Sequence, residues 1–275
     1  MALVHAAGHP LRPLRRAGDT RRPAVPRSPL LALSLAVLLA AAPSAPAAKA
    51  APTPNPRAAA AAERETAALI RRCVEAYGGA AAIGRASASV HEGTVTSLLH
   101  PGGPGRLARA YARPGRLRVE VAFPDAPDGE IRVLDGGRGW RQGQEVTGPP
   151  LAAMILQAAR MDLPALLAAP GAKVTSRGTV ALGGRTLRVL ALEVAPGVTV
   201  EAAIEADSGR ILRSRGSAAG PAPVEFVTTY SDFRTVDGVL VPFHEENWAN
   251  GKNTGETVLT SVDFPGSFPP DLFRP

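Results

Sequence analysis

The sequence predicts a mainly β, α+β fold: a curved antiparallel sheet, or incomplete β-barrel, closed by short helices and preceded by an N-terminal helix. Three observations support this prediction. Apolar or alternating segments recur at roughly ten-residue spacing between Ser87 and Asp263. Glycine-containing turn motifs separate these segments. One helical stretch, residues 149–169, interrupts them. We therefore expect a meander, in which strands that are consecutive in sequence are antiparallel neighbours.

The first fifty residues have the features of an export signal. A basic stretch precedes the apolar run Leu30–Ala42, and small residues follow it. A helix of this length spans about 20 Å, which is less than the roughly 30 Å hydrocarbon core of a bilayer. We predict a signal peptide over residues 1–50, cleaved after Ala50 or, alternatively, after Ala47. The mature protein would then be exported to the periplasm.

The charge of the chain lies mostly in this predicted signal. Residues 1–50 hold seven of the 31 Lys and Arg residues and one of the 24 Asp and Glu residues. The rest of the chain has 24 basic and 23 acidic residues, so its net charge is +1. Nucleic-acid binding requires a basic surface that displaces counterions. We accordingly predict no nucleic-acid partner.

After the signal we predict an Ala- and Pro-rich linker, residues 51–62, and a single domain, residues 63–275. The domain should open with a helix from Glu63 to Tyr77 that ends at Gly78-Gly79, where glycine can adopt the left-handed cap. Cys73, the only cysteine, lies on the apolar stripe of this helix. We predict a buried structural thiol, no internal disulfide and no lipid attachment.

The strands are predicted from alternation and turns. In Arg116–Phe123 the odd positions are apolar and most even positions are charged, which is the pattern of a strand with one wet face. Tight hairpin turns are expected where glycine follows a turn-forming residue. These turns are Gly183-Gly184, Pro196-Gly197, Asp207-Ser208-Gly209, Asp237-Gly238 and Asn250-Gly251.

The helical interruption should cover the concave face of the sheet. Leu151, Met154, Ile155 and Ala158 follow helical spacing, and Asp162 is placed to cap a second short helix. We predict that residues 151–167 form a movable lid over an apolar cavity. For Trp140 core packing is favoured over ligand contact, and ordinary core packing is the alternative for the whole set. The candidate cavity and lid residues are Leu117, Val119, Val121, Trp140, Met154, Ile155, Leu163, Leu166 and Leu167.

The stretch YSDFRTVDGVLVPFHEENW places a histidine beside two carboxylates. Strand alternation puts Glu245 and His244 on opposite faces, with His244 and Glu246 on the same face as a weak surface pair. A zinc-protease motif requires a helix and a second histidine, but position 248 is Trp, which we expect at the rim of the sheet. We therefore predict that this stretch forms part of the β-sheet wall and holds no metal.

Other reactive motifs are equally weak. The sequence has no Gly-x-Ser-x-Gly elbow, and the glycines of DGGRGWRQG lack dinucleotide-binding spacing. We predict no catalytic residue, no metal and no cofactor. A hydrolase that uses scattered residues such as Asp135 and His91 is kept as the third alternative.

Six motifs occur in an order that resembles a known superfamily. They are EAYGGAAAIGRA, VHEGTV, ARPGRLRVEV, VLDGGRGW, YSDFRTVDGVLVPF and FPPDLFRP, and they span residues 66–275. In this order they resemble exported proteins similar to the LolA/LolB lipoprotein carriers, the outer-membrane lipoprotein-sorting proteins.

The resemblance implies a half-barrel with an apolar cavity for acyl chains and a periplasmic location. It implies a non-enzymatic carrier or binder of lipid or acylated lipoprotein, served by membrane donor and acceptor proteins. It is closer to the soluble carrier than to the membrane-bound acceptor, because Cys73 does not follow a lipidation signal. The alternative is an envelope-stress sensor or protein-interaction module on the same fold.

Overall fold

The structure is a computed structural model, and it describes residues 56–218 and 223–275. The predicted signal peptide and residues 51–55 of the predicted linker lie outside the described residues. The helices are α1 (Pro56–Ala76), α2 (Gly79–Arg85), α3 (Gly148–Met161) and α4 (Leu163–Ala168). The strands are β1 (Ala88–Val95), β2 (Gly105–Ala112), β3 (Arg116–Phe123), β4 (Ala126–Asp135), β5 (Arg138–Arg141), β6 (Gln144–Val146), β7 (Thr175–Leu182), β8 (Arg185–Ala195), β9 (Val198–Glu205), β10 (Ile211–Ala218), β11 (Val224–Val236), β12 (Val239–Ala249) and β13 (Lys252–Asp263).

All of these strands belong to one antiparallel sheet, ordered β6-β5-β4-β3-β2-β1-β13-β12-β11-β10-β9-β8-β7. The chain begins at the centre with β1 and meanders outward to one edge at β6. It crosses through α3 and α4 to the opposite edge at β7, then meanders back to β13, which pairs with β1. Within the described residues the sheet stays open, because β6 and β7 lie at opposite edges. The predicted open, curved, mainly β fold is confirmed.

The predicted meander is wrong at one connection. The segment between β6 and β7 does not join neighbouring strands, because α3 and α4 carry the chain across the face of the sheet. The turn chemistry elsewhere is as expected. Asp237 and Gly238 have φ of 47° and 80°, and Asn250 and Gly251 have φ of 48° and 74°. Positive φ at both positions matches the twist of a two-residue hairpin.

Helix α1 starts earlier than the sequence suggested. It begins at Pro56 instead of Glu63, so residues 56–62 of the predicted linker are helical. Five consecutive alanines and a proline in the first turn favour this start. Gly78, after the helix, has φ of 98°, and a Cβ there would lie 2.0 Å from the Gly238 carbonyl oxygen. Conformation and close approach therefore both require glycine at this position.

Cys73 is fully buried in α1, as predicted. Burial raises the pKa of its thiol to about 12, so the reactive thiolate is disfavoured. None of the helices in residues 56–218 and 223–275 is both long and apolar enough to cross a bilayer.

Helix α3 occupies the middle of the sheet's inner face, which we define as the face that α3 covers. Leu156 is fully buried and packs in a core with Val200 and other residues of β8, β9 and β10. Met154 packs on the other side of the helix with Leu117 and Val119 of β3. The two cores therefore meet at α3, which contacts both arms of the sheet.

Trp140 lies on the opposite, outer face. A Cβ at the preceding residue, Gly139, would meet Leu151 and Met154, so the side chain of Trp140 points away from α3. There it packs against a small core that contains Val133 and Phe273, in the C-terminal segment. Trp140 therefore lies outside the voids of the inner face and has the core packing that was favoured over ligand contact.

Candidate ligand-binding site

Three voids lie along the inner face beside α3. The apolar groove, of about 710 Å³, is bordered by the four helices α1–α4, by the β2–β3 and β4–β5 turns and by the end of β8. The polar chamber, of about 690 Å³, lies against the other ends of the central strands. An inner cavity of about 90 Å³ shares lining residues with both. The voids therefore form a row that runs from an apolar to a polar environment.

The apolar groove is walled mainly by aliphatic side chains. Ile155 of α3 and Leu166 of α4 line it, as the helical spacing predicted. The opposite wall was not predicted from the sequence; it is formed by Val74 of α1, Ile83 of α2 and Leu134 of β4. These residues come from three separate elements and share no pattern in sequence. The groove therefore has the apolar lining that holds hydrocarbon.

Asp162 fixes the junction between α3 and α4 at the end of this groove. It occupies the predicted cap position, but its side chain makes no capping hydrogen bond. Its carboxylate instead accepts hydrogen bonds from the Tyr111 hydroxyl at 2.9 Å and from Arg113 Nε at 2.7 Å. Burial and the Asp162 charge raise the pKa of Tyr111, which keeps its hydroxyl a donor. The start of α4 is thus anchored to β2 and the turn that follows it.

The polar chamber contains a buried ion pair. Arg109 of β2 donates two hydrogen bonds to Glu245 of β12, at 3.0 and 2.9 Å. Burial opposes ionisation of Glu245, but the charges of Arg109 and Arg160 outweigh it and hold the pKa of Glu245 below its usual value. Burial and Arg109 lower the pKa of the adjacent His91 to about 3. His91 is therefore neutral at physiological pH, and Glu245 is charged.

A second ionic group lies further out in the chamber. Glu130 of β4 approaches Arg132 at 3.1 Å and Arg141 at 2.5 Å. Arg132 also donates a hydrogen bond to Gln157 of α3 at 3.3 Å. The chamber is thus lined by paired charges that span the sheet and α3.

The other predicted cavity residues are divided between the voids and the core. Val121 lines the polar chamber and Leu163 lines the inner cavity. Four others are 0–3% exposed and line none of the three voids: Leu117, Val119, Met154 and Leu167. For these four the core-packing alternative describes the structure.

The histidine-carboxylate stretch forms part of the sheet, in β11 and β12, as expected, but the partners of His244 differ from the prediction. His244 Nε2 lies 3.0 Å from Glu256 on β13, and its Nδ1 lies 2.8 Å from Ser231 on β11. The predicted His244–Glu246 pair is therefore wrong, because cross-strand neighbours approach more closely than residues two apart along a strand. Trp248 lines the edge of the polar chamber.

The structure also locates the residues of the hydrolase alternative. His91 lies in the buried ionic cluster, whereas Asp135 is exposed at the turn between β4 and β5. Across residues 56–218 and 223–275, no three His, Cys, Asp or Glu side chains are grouped so that they could hold a metal ion.

The ion pair was not predicted from the sequence, although the strand alternation contains a signal for it. Arg109 alternates with the apolar residues Leu107 and Tyr111, so it occupies an inner-facing position of β2. Glu245 likewise alternates with Val241 and Phe243 on β12. A charged residue in an apolar register predicts a buried partner. The identity of that partner depended on which strands pair at the centre of the sheet.

One solved structure to which the chain is similar shares its architecture at low sequence identity. A domain from Vibrio parahaemolyticus that is named for outer membrane lipoprotein sorting superposes with a TM-score of 0.50 at 9% identity, over 78% of this chain and 97% of that domain. A LolA superfamily protein from Nitrosomonas europaea matches 68% of this chain and 89% of its own, with 12% identity and a TM-score of 0.46.

A DUF1329 family protein from Desulfovibrio piger matches 77% of this chain and 96% of its own, with 10% identity and a TM-score of 0.48. No protein-family model and no curated protein sequence matches the chain. The similarity to the Vibrio domain extends over nearly all of that domain, and it accords with the open antiparallel sheet and its crossing helices. The chain therefore has a LolA-like fold.

Proposed function

We propose that the protein is a periplasmic, non-enzymatic carrier or binder of lipid or lipoprotein acyl chains, and that it holds them in the apolar groove. The observation that carries this proposal is the groove itself, a void of about 710 Å³ with aliphatic walls from four helices. Its volume falls within the range of pockets that bind small organic ligands. The fold shared with a domain named for lipoprotein sorting supports the same class of ligand.

The energetics of such a ligand favour apolar walls. Each methylene group removed from water contributes about 0.8 kcal/mol, so a chain of about sixteen carbons offers on the order of 12 kcal/mol before the costs of association. Specific polar contacts are unnecessary for this affinity. The groove thus needs shape and apolarity, which Ile155 and Leu166 help to supply.

The predicted lid becomes a narrower proposal. Leu156 is fully buried between the sheet and α3, so we expect α3 to stay in place. Helix α4 also buries Leu163 and Leu167, but it has only six residues and contributes Leu166 to the groove, so it is the element that we expect to move. A disulfide that tethers α4 to α1 should block lipid exchange, and reduction should restore it. Equal exchange in the oxidised and reduced forms would contradict a moving α4.

The first test is lipid binding by protein exported to a bacterial periplasm and purified without detergent. Native mass spectrometry should detect copurified lipid or uptake of palmitoylglycerol, an uncharged single-chain lipid. Leu166→Glu places a charge in the groove and should weaken uptake by roughly tenfold or more. The matched control is Leu99→Glu, because Leu99 is 86% exposed and lies outside the groove.

Two results would contradict the proposal. One is a protein that carries no lipid and takes up none. The other is uptake that Leu166→Glu leaves unchanged, since the ligand would then occupy a different site. If Leu99→Glu also abolished uptake, the effect of Leu166→Glu could not be assigned to the groove.

A further inference from the structure

We propose that the polar chamber is an anion-binding site for a phosphate or carboxylate group, with Arg160 as its principal ligand and Arg109 and Arg132 beside it. The proposal concerns a void separate from the apolar groove, and it holds whether or not the groove binds lipid. It goes beyond the proposed function because acyl chains carry no charge for such a site to bind.

The first observation is an excess of positive charge. Four arginines line the chamber, whereas only two glutamates do: Arg109, Arg132, Arg141 and Arg160 against Glu130 and Glu245. The chamber therefore has a formal charge of +2 when His100 is neutral. His100 itself lies 3.1 Å from the Asp125 carboxylate. The mature chain as a whole is nearly neutral, so this excess is a local feature of the chamber.

The second observation is that the two carboxylates already have partners. Glu245 binds Arg109 through both of its oxygens, and Glu130 lies beside both Arg132 and Arg141. Arg160 is half-buried in the last turn of α3 and borders both the chamber and the inner cavity. Within the described part of the chain, the guanidinium group of Arg160 forms no hydrogen bond or ion pair. An arginine held in a cavity without an acceptor is a vacant donor for a ligand oxygen.

The third observation concerns the nitrogens of its neighbours. Arg109 Nε and Arg132 Nε are both buried and have no hydrogen-bond acceptor. Arg132 Nε lies 3.1 Å from Glu130, but its N–H is not aimed at the carboxylate. Such orphaned donors are rare in native proteins, and a role in binding an ion is one of their recognised explanations.

The electrostatic potential at Arg132 is also positive. Burial lowers the pKa of Arg132, and the charges of Arg141, Arg160 and Arg109 lower it further against the opposing effect of Glu130. Repulsion among these guanidinium groups is relieved when an anion binds between them. A guanidinium also presents its donors as a planar fork that matches two oxygens of a phosphate or carboxylate.

The volume of the chamber favours an anionic group on a larger molecule over a bare ion, although both present the same oxygens. Gln157 and Asn247 lie on its walls and can hydrogen-bond to neutral parts of such a molecule. The phosphate could therefore belong to a lipid headgroup or be free in solution, and the experiment separates these two sources.

The test follows the arginine Nε–Hε resonances of the intact exported protein by NMR during titration with three probes. These are inorganic phosphate, dihexanoyl phosphatidic acid and dihexanoylglycerol, which has the same chains without the phosphate. We expect phosphate or phosphatidic acid to bind, and Arg160→Gln to weaken that binding by roughly tenfold or more. Arg188→Gln removes the same charge from an exposed site outside the chamber and should leave binding unchanged.

Arg160→Gln is expected to fold, because Arg160 contributes no hydrogen bond or ion pair within the described residues. An unchanged thermal midpoint checks this, and Arg160→Lys, which keeps the charge but not the fork, should bind at an intermediate level. Binding of inorganic phosphate alone identifies a free anion as the ligand. Tighter binding of phosphatidic acid than of inorganic phosphate identifies a headgroup.

The proposal is overturned if neither inorganic phosphate nor phosphatidic acid binds better than dihexanoylglycerol. It is also overturned if binding is the same in Arg160→Gln as in the unaltered protein. Uptake of palmitoylglycerol tests the apolar groove independently, so the two proposals fail separately.

Discussion

The apolar groove and the polar chamber have nearly the same volume, about 710 and 690 Å³, and lie along the same sheet face. Their chemistry differs because they contact opposite ends of the same strands. On β2, Arg109 faces the chamber and Tyr111, two residues later, faces the groove. On β4, Arg132 and Leu134 are divided in the same way. Position along the strand, and not size, therefore sets what each void can bind.

The two regions also depend on different forces for stability. Packing of aliphatic side chains from helices shapes the groove, so its stability depends on filled volume. The chamber depends on charges that have been removed from water and that tolerate burial only while paired. In the groove, the loss of stability on substitution should therefore scale with the side-chain volume removed. In the chamber, removing either charge of a pair should cause the full loss of stability.

The largest effect should come from breaking the buried pair. Glu245→Gln keeps the shape of the side chain but leaves Arg109 buried without a counter-charge. We expect a loss of about 3–5 kcal/mol in the free energy of unfolding, the usual result when one partner of a buried pair is removed. Guanidinium titration followed by circular dichroism measures it.

An exposed pair provides the control for this substitution. Arg138 and Glu145 form a comparable two-bond pair, at 2.8 Å for both contacts, but on the surface of the hairpin between β5 and β6. Glu145→Gln should leave the denaturation midpoint nearly unchanged because water replaces the lost partner. Equal effects of the two substitutions would contradict the buried character of the chamber pair.

Two adjacent leucines of α4 sharpen the comparison on the side of the groove. Leu167 is 2% exposed and packs in the core, whereas Leu166 is only partly buried and lines the groove. Leu167→Ala should cost about 2–4 kcal/mol in the free energy of unfolding, with lipid affinity nearly retained. Leu166→Ala should cost roughly 1 kcal/mol and weaken lipid binding more.

The same pair of substitutions separates a binding surface from ordinary core. Titration with palmitoylglycerol and guanidinium unfolding give the two quantities for each variant. If Leu166→Ala lost stability as strongly as Leu167→Ala and kept its lipid affinity, the groove would be a packing defect and not a ligand site.

Much of the fold could be predicted because it is encoded locally. Alternation gave β3 with its observed bounds, and positive-φ turn residues placed the hairpins. The sequence could not show that α3 and α4 connect opposite edges of the sheet, because local patterns carry no information on which strands a connection joins. Trp140 faces outward because Gly139, one position before it, faces α3. The glycine-rich sequence did not show which of these two positions would face inward.

The two voids differ in how far sequence could predict them. Helical spacing identified Ile155 and Leu166, because both lie on the inner stripe of the crossing helices. The ion pair joins Arg109 and Glu245, which are 136 residues apart, through the central pairing of β1 with β13. Alternation could show that each residue faces inward, but only the strand order brings them together.

The inner cavity should differ from the groove in its response to pH, because a buried histidine, His91, lines the inner cavity and no histidine lines the groove. The pKa of His91 falls from 6.5 to about 3 on folding, so the unfolded state binds a proton in this range that the folded state does not. Stability should therefore fall as pH drops below 6.5, by up to about 1.4 kcal/mol per pH unit. Arg109 and Glu245 face this histidine, and the lowered pKa of Glu245, caused by the charge of Arg109, favours its ionised form in the folded state.

His91→Gln removes the titrating group and keeps a neutral polar side chain in the same place. Unfolding titrations at several pH values between 6.5 and 4.5 should show a shallower dependence of stability on pH in this variant than in the unaltered protein. The lipid affinity of the groove should not follow the same pH dependence, since no histidine lines it. A pH slope that persists in His91→Gln would mean that other groups titrate and that burial beside Arg109 does not hold His91 neutral.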